Sequence, residues 1–123
     1  MGYPSPLTYG NSLMSGPTML ELTETLIDRI YNHLGCTEDR TKEIINIMLE
    51  DIALFDKKQR DYGESNINKF GAFGVLVRAN DKMERLTNLF DRGTLPSNES
   101  VYDSWTDLSI YATIARAIKK GSW

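Results

Sequence analysis

Apolar residues recur at spacings of three and four along almost the whole chain after Pro17, and turn-forming residues interrupt them at regular intervals. This period is typical of amphipathic α-helices. It predicts four helices, which run from about Thr18 to Gly35, from a cap at Thr37 to about Arg60, from Ser65 or Asn66 to Arg92 with a weak point near Gly74, and from about Asn98, with Ser97 as N-cap, to Lys120. Since the connections are short, neighbouring helices are expected to be antiparallel. The pattern predicts an all-α, four-helix bundle-like single domain that is completed by oligomerisation.

Residues 1–17 do not share this pattern. They contain no charged residue, three of the four prolines and three glycines, whereas every Asp, Glu, Lys and Arg lies in residues 18–123. Such a segment cannot form a core of its own. We therefore expect an uncharged N-terminal arm, either disordered in isolation or packed on a partner subunit, followed by one all-α domain over residues 18–123.

The charge balance excludes several classes of function. The 123 residues include 14 Lys and Arg against 17 Asp and Glu, so no basic field is present to hold duplex nucleic acid by counterion release. One Cys and one His cannot form a disulfide or a zinc site of thiolates and imidazoles within one chain. No apolar run is long enough for a membrane span, and no secretory signal is recognisable. A soluble cytoplasmic protein is expected.

An acidic row occupies one face of the fourth predicted helix, beside an apolar stripe that includes Trp105. The row consists of Glu99, Asp103 and Asp107 and continues along the helix as Ile110, Ile114 and Ile118. A row of surface acids normally continues as polar surface, so its aliphatic continuation predicts that the carboxylates line the mouth of an internal cavity. Hard oxygen ligands of this kind suit Mg²⁺, or alternatively Mn²⁺. The alternative is that the acids only complement the dipole of the N-terminal half of the helix.

The third predicted helix has a polar face of mixed charge. Its cations Arg78, Lys82 and Arg85 can supply the positive side of a phosphate site beside the acidic row, and Asn88 shares that face. Charges of alternating sign at these spacings are equally typical of a solvated face that pairs with itself. Tyr62 or Trp105 could stack on a base.

On the second predicted helix, Asp51 falls inside the apolar arc. An unpaired carboxylate there is expensive to bury, so it should find a cation, a metal or hydrogen-bond donors. Lys58 lies seven residues further along the same face of the helix and could be this cation. A half-exposed salt bridge near the end of a bundle is the alternative.

Three sequence blocks resemble a family found in bacteriophages and bacteria, nucleotide modification associated domain 1. The blocks are Phe55-x-x-Lys58-x-x-x-Tyr62-Gly63, then Phe73-Gly74-Val75-x-Val77-Arg78-x-x-Asp81-Lys82-x-x-Arg85-Leu86-x-Asn88-Leu89, and Glu99-Ser100-x-x-Asp103-x-x-x-Asp107-Leu108-x-x-Tyr111-Ala112. They cover about residues 51–118. The resemblance implies an association with phage nucleotide metabolism and modified bases. The matching positions include the charged residues singled out on the helix faces, namely Lys58, Arg78, Asp81, Lys82, Arg85, Glu99, Asp103 and Asp107.

The chain is also, more loosely, similar to the all-α nucleoside triphosphate pyrophosphohydrolases of the MazG type. Those enzymes hold Mg²⁺ on acidic motifs from two adjacent helices and split the bond between the α and β phosphates. This sequence offers Asp81-x-x-Glu84 and Glu99-x-x-x-Asp103 but lacks the doubled Glu-Glu-x-x-Glu motif.

These features predict a phage or prophage protein, in the cytoplasm of a bacterial host, that binds a small nucleotide between its third and fourth helices as a homo-oligomer. If it is an enzyme, we expect a metal-dependent nucleotide (pyro)phosphohydrolase. Glu99, Asp103 and Asp107 would then hold Mg²⁺, Asp81 would help hold it or orient water, and the three cations of the third helix would neutralise phosphate. One alternative is a non-catalytic sponge that sequesters a nucleotide signal of host anti-phage defence. Another is a structural or adaptor protein whose charges are solvated.

Overall fold

The computed structural model describes residues 18–93, 95–96 and 100–123. The predicted arm, residues 1–17, lies outside the described residues, as do Ser97, Asn98 and Glu99. The described residues form five α-helices and no strand, namely α1 (Met19–His33), α2 (Arg40–Tyr62), α3 (Ser65–Asn68), α4 (Gly71–Arg92) and α5 (Val101–Lys119). The all-α, bundle-like fold class is thereby confirmed. None of these helices is long and apolar enough to cross a membrane.

The chain divides into two compact units, residues 1–49 and 50–123, and the boundary falls within α2. In the first unit, α1 begins as predicted. The Thr18 hydroxyl accepts a hydrogen bond from the Glu21 backbone N–H at 3.1 Å, and the Glu21 carboxylate accepts one from the Thr18 N–H at 2.9 Å. This capping box satisfies two backbone donors that the first helical turn leaves open. Further along the unit, Lys42 pairs with Asp28 at 3.2 Å and lies over the Tyr31 ring.

The predicted cap of α2 is wrong. The helix begins at Arg40, three residues after Thr37. The Thr37 hydroxyl donates to the Glu38 carboxylate at 3.1 Å. A hydroxyl engaged with the neighbouring side chain is an alternative to capping, which explains the later start.

The third predicted helix is divided in two. The break comes at Lys69 and Phe70, before Gly71, which adopts a left-handed φ of 59°. Gly74, where the sequence indicated a weak point, instead lies inside α4. A Cβ atom added at Gly74 would lie 2.6 Å from the Phe70 Cβ, so the absence of a side chain at Gly74 leaves room for the Phe70 side chain.

The last helix also begins later than predicted, at Val101. Its N-cap is Ser100, whose hydroxyl accepts a hydrogen bond from the Asp103 backbone N–H at 3.0 Å. This cap satisfies one of the backbone donors that the first helical turn leaves open.

In the second unit α3 and α5 both pack on α4. The core consists of buried Ile67, Val75, Ile110 and Ile114, against which Leu54, Phe55, Tyr111, Ala115, Ile118 and Trp123 pack. The isoleucines that follow the acidic row are therefore core residues, as the sequence predicted. In contrast, Trp105 from the predicted apolar stripe is 51% exposed, so the buried face of α5 is the row of Asp107 and not that of Trp105.

Candidate functional site

The centre of the candidate site is an ion cluster around the nearly buried Asp107 on α5. This residue is 8% exposed. Lys58 from α2 donates to its Oδ1 at 3.1 Å, and Lys82 from α4 donates to its Oδ2 at 2.9 Å. The two ammonium groups thus approach one carboxylate from two different helices.

The cluster keeps the Asp107 carboxylate ionised. Burial alone raises the pKa of such a group, because a charge is poorly solvated inside a protein. The hydrogen bonds from Lys82 and Lys58, with their positive charges, outweigh burial and hold the pKa of Asp107 below its ordinary value. The carboxylate therefore carries its charge at neutral pH.

A third cation lies beside this cluster. Arg78 on α4 is half-buried and donates from Nη2 to Oδ1 of Asn66 on α3 at 2.8 Å. The amide oxygen orients the guanidinium without neutralising it. Among the described residues, Lys58 and Lys82 contact the Asp107 carboxylate and Arg78 adds a third cation beside them.

Lys58, Arg78 and Asp107 border a cleft of about 100 Å³, whereas Lys82 reaches Asp107 from outside its lining. The cleft is lined by Phe55, Lys58, Gln59, Tyr62, Asn66, Ile67, Arg78, Asp107, Ile110, Tyr111 and Ile114. Tyr111 is half-buried, and burial, with the nearby Asp107 charge, raises the pKa of its phenol above the ordinary value. The phenol remains protonated at neutral pH and can donate a hydrogen bond to a ligand in the cleft.

A shallow depression of about 540 Å³ adjoins the cleft. It is lined by Tyr62, Ser65, Asn66, Asn68 and Lys69. Tyr62 and Asn66 border both spaces. The ring of Tyr62 is 63% exposed and so presents a flat aromatic surface at the mouth of the cleft.

Arg85, predicted as a third phosphate ligand, takes another partner. It donates to the hydroxyl of fully buried Ser104 at 2.7 Å and to the Ser100 carbonyl at 3.4 Å. These bonds tie α4 to the beginning of α5. Arg85 is absent from the cleft lining, so its role here is to join two helices.

Two of the other predicted acids do not contact Asp107 in the structure. Asp103 and Asp81 are exposed, and Glu99 lies outside the described residues. In the described part of the chain, no group of three or more Asp, Glu, His or Cys side chains is placed to hold a metal ion. Both oxygens of Asp107 already accept ammonium groups, so the described donors do not fit Mg²⁺ or Mn²⁺. The metal site remains a prediction from the sequence.

Three further predicted residues lie apart from the cleft. Asn88 and Trp105 are exposed and do not line it. Asp51 accepts a hydrogen bond from the Ser109 hydroxyl at 2.9 Å. The prediction that Lys58 serves Asp51 is wrong, because Lys58 is directed to the more buried carboxylate of Asp107.

Sequence reasoning missed three polar residues of the cleft, Gln59, Asn66 and Tyr111. Tyr111 lies four residues after Asp107, one helical turn away on the same face. The spacing of four that defines the acidic row could therefore have identified it. Asn66 had no such signal, because its position depends on how α3 packs against α4.

Comparison of the chain with protein-family models, with curated proteins and with solved structures finds no match. The likeness of the three sequence blocks to nucleotide modification associated domain 1 therefore stays a prediction from those motifs.

Proposed function

We propose that this protein binds a nucleotide, or a nucleotide-like compound, by holding a phosphate group in the cleft between the end of α2, α4 and α5. The observation that carries the proposal is the arrangement of Lys58 and Lys82 on one buried carboxylate. A phosphate has several oxygens that accept the same charge-assisted hydrogen bonds as a carboxylate. Asp107 then acts as an internal counter-ion that keeps the two ammonium groups in place until the ligand arrives.

The size of the cleft agrees with a phosphate group. A volume of about 100 Å³ equals that of roughly three water molecules and is well below the roughly 300 Å³ at which pockets for whole drug-sized ligands begin. The nucleoside would occupy the adjoining depression. There Tyr62 can stack on the base, a contact of about 1–3 kcal/mol in other nucleic-acid-binding proteins.

Both the charge balance and the family resemblance support this assignment. Lys58 and Arg78 both line the cleft, so two cations are placed to contact the phosphate directly. The resemblance adds phage nucleotide metabolism as the context. A protein that binds without turnover corresponds to the sponge predicted as an alternative, and a protein that consumes its ligand corresponds to the hydrolase.

Calorimetry with the full chain tests the proposal. Deoxynucleoside mono- and triphosphates, canonical and modified, are titrated in EDTA and again in Mg²⁺. We expect binding in EDTA, weakened about tenfold to a hundredfold in Lys58→Gln, because one charge-assisted hydrogen bond to phosphate contributes about 1.5–3 kcal/mol. Lys57→Gln removes an exposed lysine next to the site residue Lys58 and should bind like the wild type.

The ligand is then recovered and analysed by mass spectrometry. Intact ligand identifies a binding protein, whereas loss of ligand that requires Mg²⁺ and is abolished in Asp103→Ala identifies the hydrolase. Equal affinity in Lys58→Gln and wild type would place the ligand elsewhere. No binding to any phosphate compound would favour the structural or adaptor alternative.

A further inference from the structure

The face of α4 that is turned away from the cleft carries a regular row of exposed residues. The row is Phe73, Leu76, Asn80, Met83, Thr87 and Phe90, and all six are exposed. Their successive spacings of three, four, three, four and three are those of the a and d positions of a coiled coil. We call this row the α4 seam.

The seam is distinct from the face of α4 that packs within the chain. The buried and half-buried positions Val75, Arg78, Lys82 and Leu86 lie on the opposite side of the helix. Those residues serve the core and the cleft. The seam therefore has no role in the site proposed above, although it repeats along nearly the whole of α4.

The exposed apolar area of the seam is unusually large. Phe73 is 72% exposed, Phe90 73%, Leu76 64% and Met83 47%. With Val77 at its edge, the face presents on the order of 600 Å², the upper limit for the largest apolar patch on a typical monomer. Two such faces together reach about 1,200 Å², the lower bound for a specific, stable interface.

The order of residues along the seam matches a second copy of itself in the antiparallel direction. Around a two-fold axis between Asp81 and Lys82, Phe73 meets Phe90, Leu76 meets Thr87, and Asn80 meets Met83 of the other chain. Large apolar residues thus meet at both ends of the row. A two-fold interface requires this kind of self-complementarity, because the same patch must serve both partners.

The polar residue Asn80 lies at an a position near the middle of the seam. In this register its amide faces Met83 of the other chain, which lowers the stability of the interface, so the two Phe73–Phe90 pairs at the ends are expected to hold the register. We propose that the α4 seam pairs antiparallel with the α4 seam of a second copy, so that the protein is a two-fold homodimer with its two clefts facing away from the interface.

The mass of the full chain in solution tests the interface. We expect twice the chain mass of 14.0 kDa for the wild type, and 14.0 kDa for Leu76→Glu, in which the two-fold axis places two carboxylates in an apolar seam. The matched control is Ile52→Glu, since Ile52 on α2 is 63% exposed and Leu76 is 64% exposed. This control should remain a dimer. Circular dichroism should show equal helical content in all three proteins.

Other occupants of the seam give other results. A monomeric wild type overturns the proposal. A dimer that survives Leu76→Glu but is lost in Ile52→Glu assigns the interface to α2. A dimer that survives Leu76→Glu but is lost when residues 1–17 are deleted assigns it to the N-terminal arm. Both of these results overturn the α4 seam.

Cysteine cross-linking tests the antiparallel direction without weakening the seam by charge. In a Cys36→Ser background, the double variant Leu76→Cys with Thr87→Cys should give a covalent dimer on mild oxidation, because these two positions face each other across the axis. Each single variant should stay uncross-linked. Cross-linking by Leu76→Cys alone would indicate parallel helices, and no cross-linking in the double variant would contradict this pairing.

Discussion

At the scale of single residues, the most informative group is the Asp107 carboxylate, which is 8% exposed and yet charged. Burying a carboxylate without a partner is strongly unfavourable, and two ammonium groups at 3.1 and 2.9 Å reverse that balance. The same arrangement holds two lysines close together. Asp107 therefore stabilises the folded chain. It also competes with a bound anion for the two lysines.

Asp107→Asn separates these two effects. The amide leaves Lys58 and Lys82 close together without a counter-ion, so we expect the free energy of unfolding to fall by about 1–3 kcal/mol. Phosphate binding should become tighter, because the ligand no longer displaces a carboxylate. Urea denaturation and calorimetry with inorganic phosphate measure the two quantities. Weaker binding in this variant would indicate that Asp107 contacts the ligand through a metal.

The lowered pKa of Asp107 predicts an acid-sensitive fold. Between its pKa in the folded protein and the ordinary value of about 3.9, the unfolded chain binds more protons, so stability rises with pH across this interval. The contribution is complete above about pH 5, where the carboxyl is ionised in the unfolded chain too, and is lost as the pH falls through the lowered pKa. Urea midpoints measured from pH 2 to pH 6 should fall less steeply in Asp107→Asn than in the wild type. Parallel curves would show that other carboxylates dominate.

Ser104 provides a second prediction at this scale. It is fully buried and accepts the 2.7 Å hydrogen bond from Arg85 between α4 and α5. Ser104→Leu adds a bulky side chain where no space is open, and should lower the free energy of unfolding by about 1–3 kcal/mol. Ser109→Leu, on an exposed position of the same helix, is the control for the loss of a hydroxyl. Equal thermal denaturation of the two variants would contradict tight packing at Ser104.

At the scale of elements, the break between α3 and α4 determines the geometry of the site. It places Asn66 of α3 against Arg78 of α4, at 2.8 Å. Two glycines make this break possible. Gly71 adopts a left-handed φ, and Gly74 leaves room for the Phe70 side chain. The split of the third predicted helix is thus what brings a polar amide to the cleft.

Gly74→Ala should destabilise the protein although alanine favours helices. The intrinsic gain is about 1 kcal/mol, but the new Cβ would lie 2.6 Å from the Phe70 Cβ and force the backbone to shift. We expect a net loss of about 1 kcal/mol in urea denaturation, since overpacking typically costs about 1–3 kcal/mol. In a Phe70→Gly background the same change should stabilise the protein. Destabilisation of equal size in both backgrounds would exclude this clash as its cause.

At the scale of the whole molecule, the overall charge and the local charge have opposite signs. The chain has a net charge of −3, whereas the described lining of the cleft includes the two cations Lys58 and Arg78 and the one carboxylate of Asp107. Long-range attraction of polyanions depends on the overall field, while a small ligand responds to the charges it contacts. The molecule is therefore suited to a compact phosphate compound and unsuited to an extended polyanion.

This contrast predicts selectivity against duplex DNA. Fluorescence anisotropy with a labelled 20-base-pair duplex should show no binding at micromolar protein concentration, even in about 50 mM salt, where non-specific electrostatic binding is strongest. A labelled nucleotide in the same buffer is the positive comparison. Duplex binding with a steep salt dependence would show that a basic surface exists in the assembled protein.

The sequence alone determined which segments are helical, the start of α1 near Thr18, and the burial of the face that carries Asp107. These features depend on residues within one or two turns of each other, and helical periodicity and capping report such local relations directly. The same local reasoning placed the break in the third helix at the wrong glycine. Only the conformation of the chain at Gly71 revealed its true position.

The tertiary structure decided which charges meet. Lys58 reaches Asp107 across 49 positions of the chain and leaves Asp51 to Ser109, and Arg85 joins Ser104 and not the cleft. The sequence contained the right cations and the right acid, but a row of charges on one helix does not indicate which neighbouring helix will face it. That choice depends on how the apolar faces pack, and the packing of helices that are distant in the sequence is a property of the folded chain.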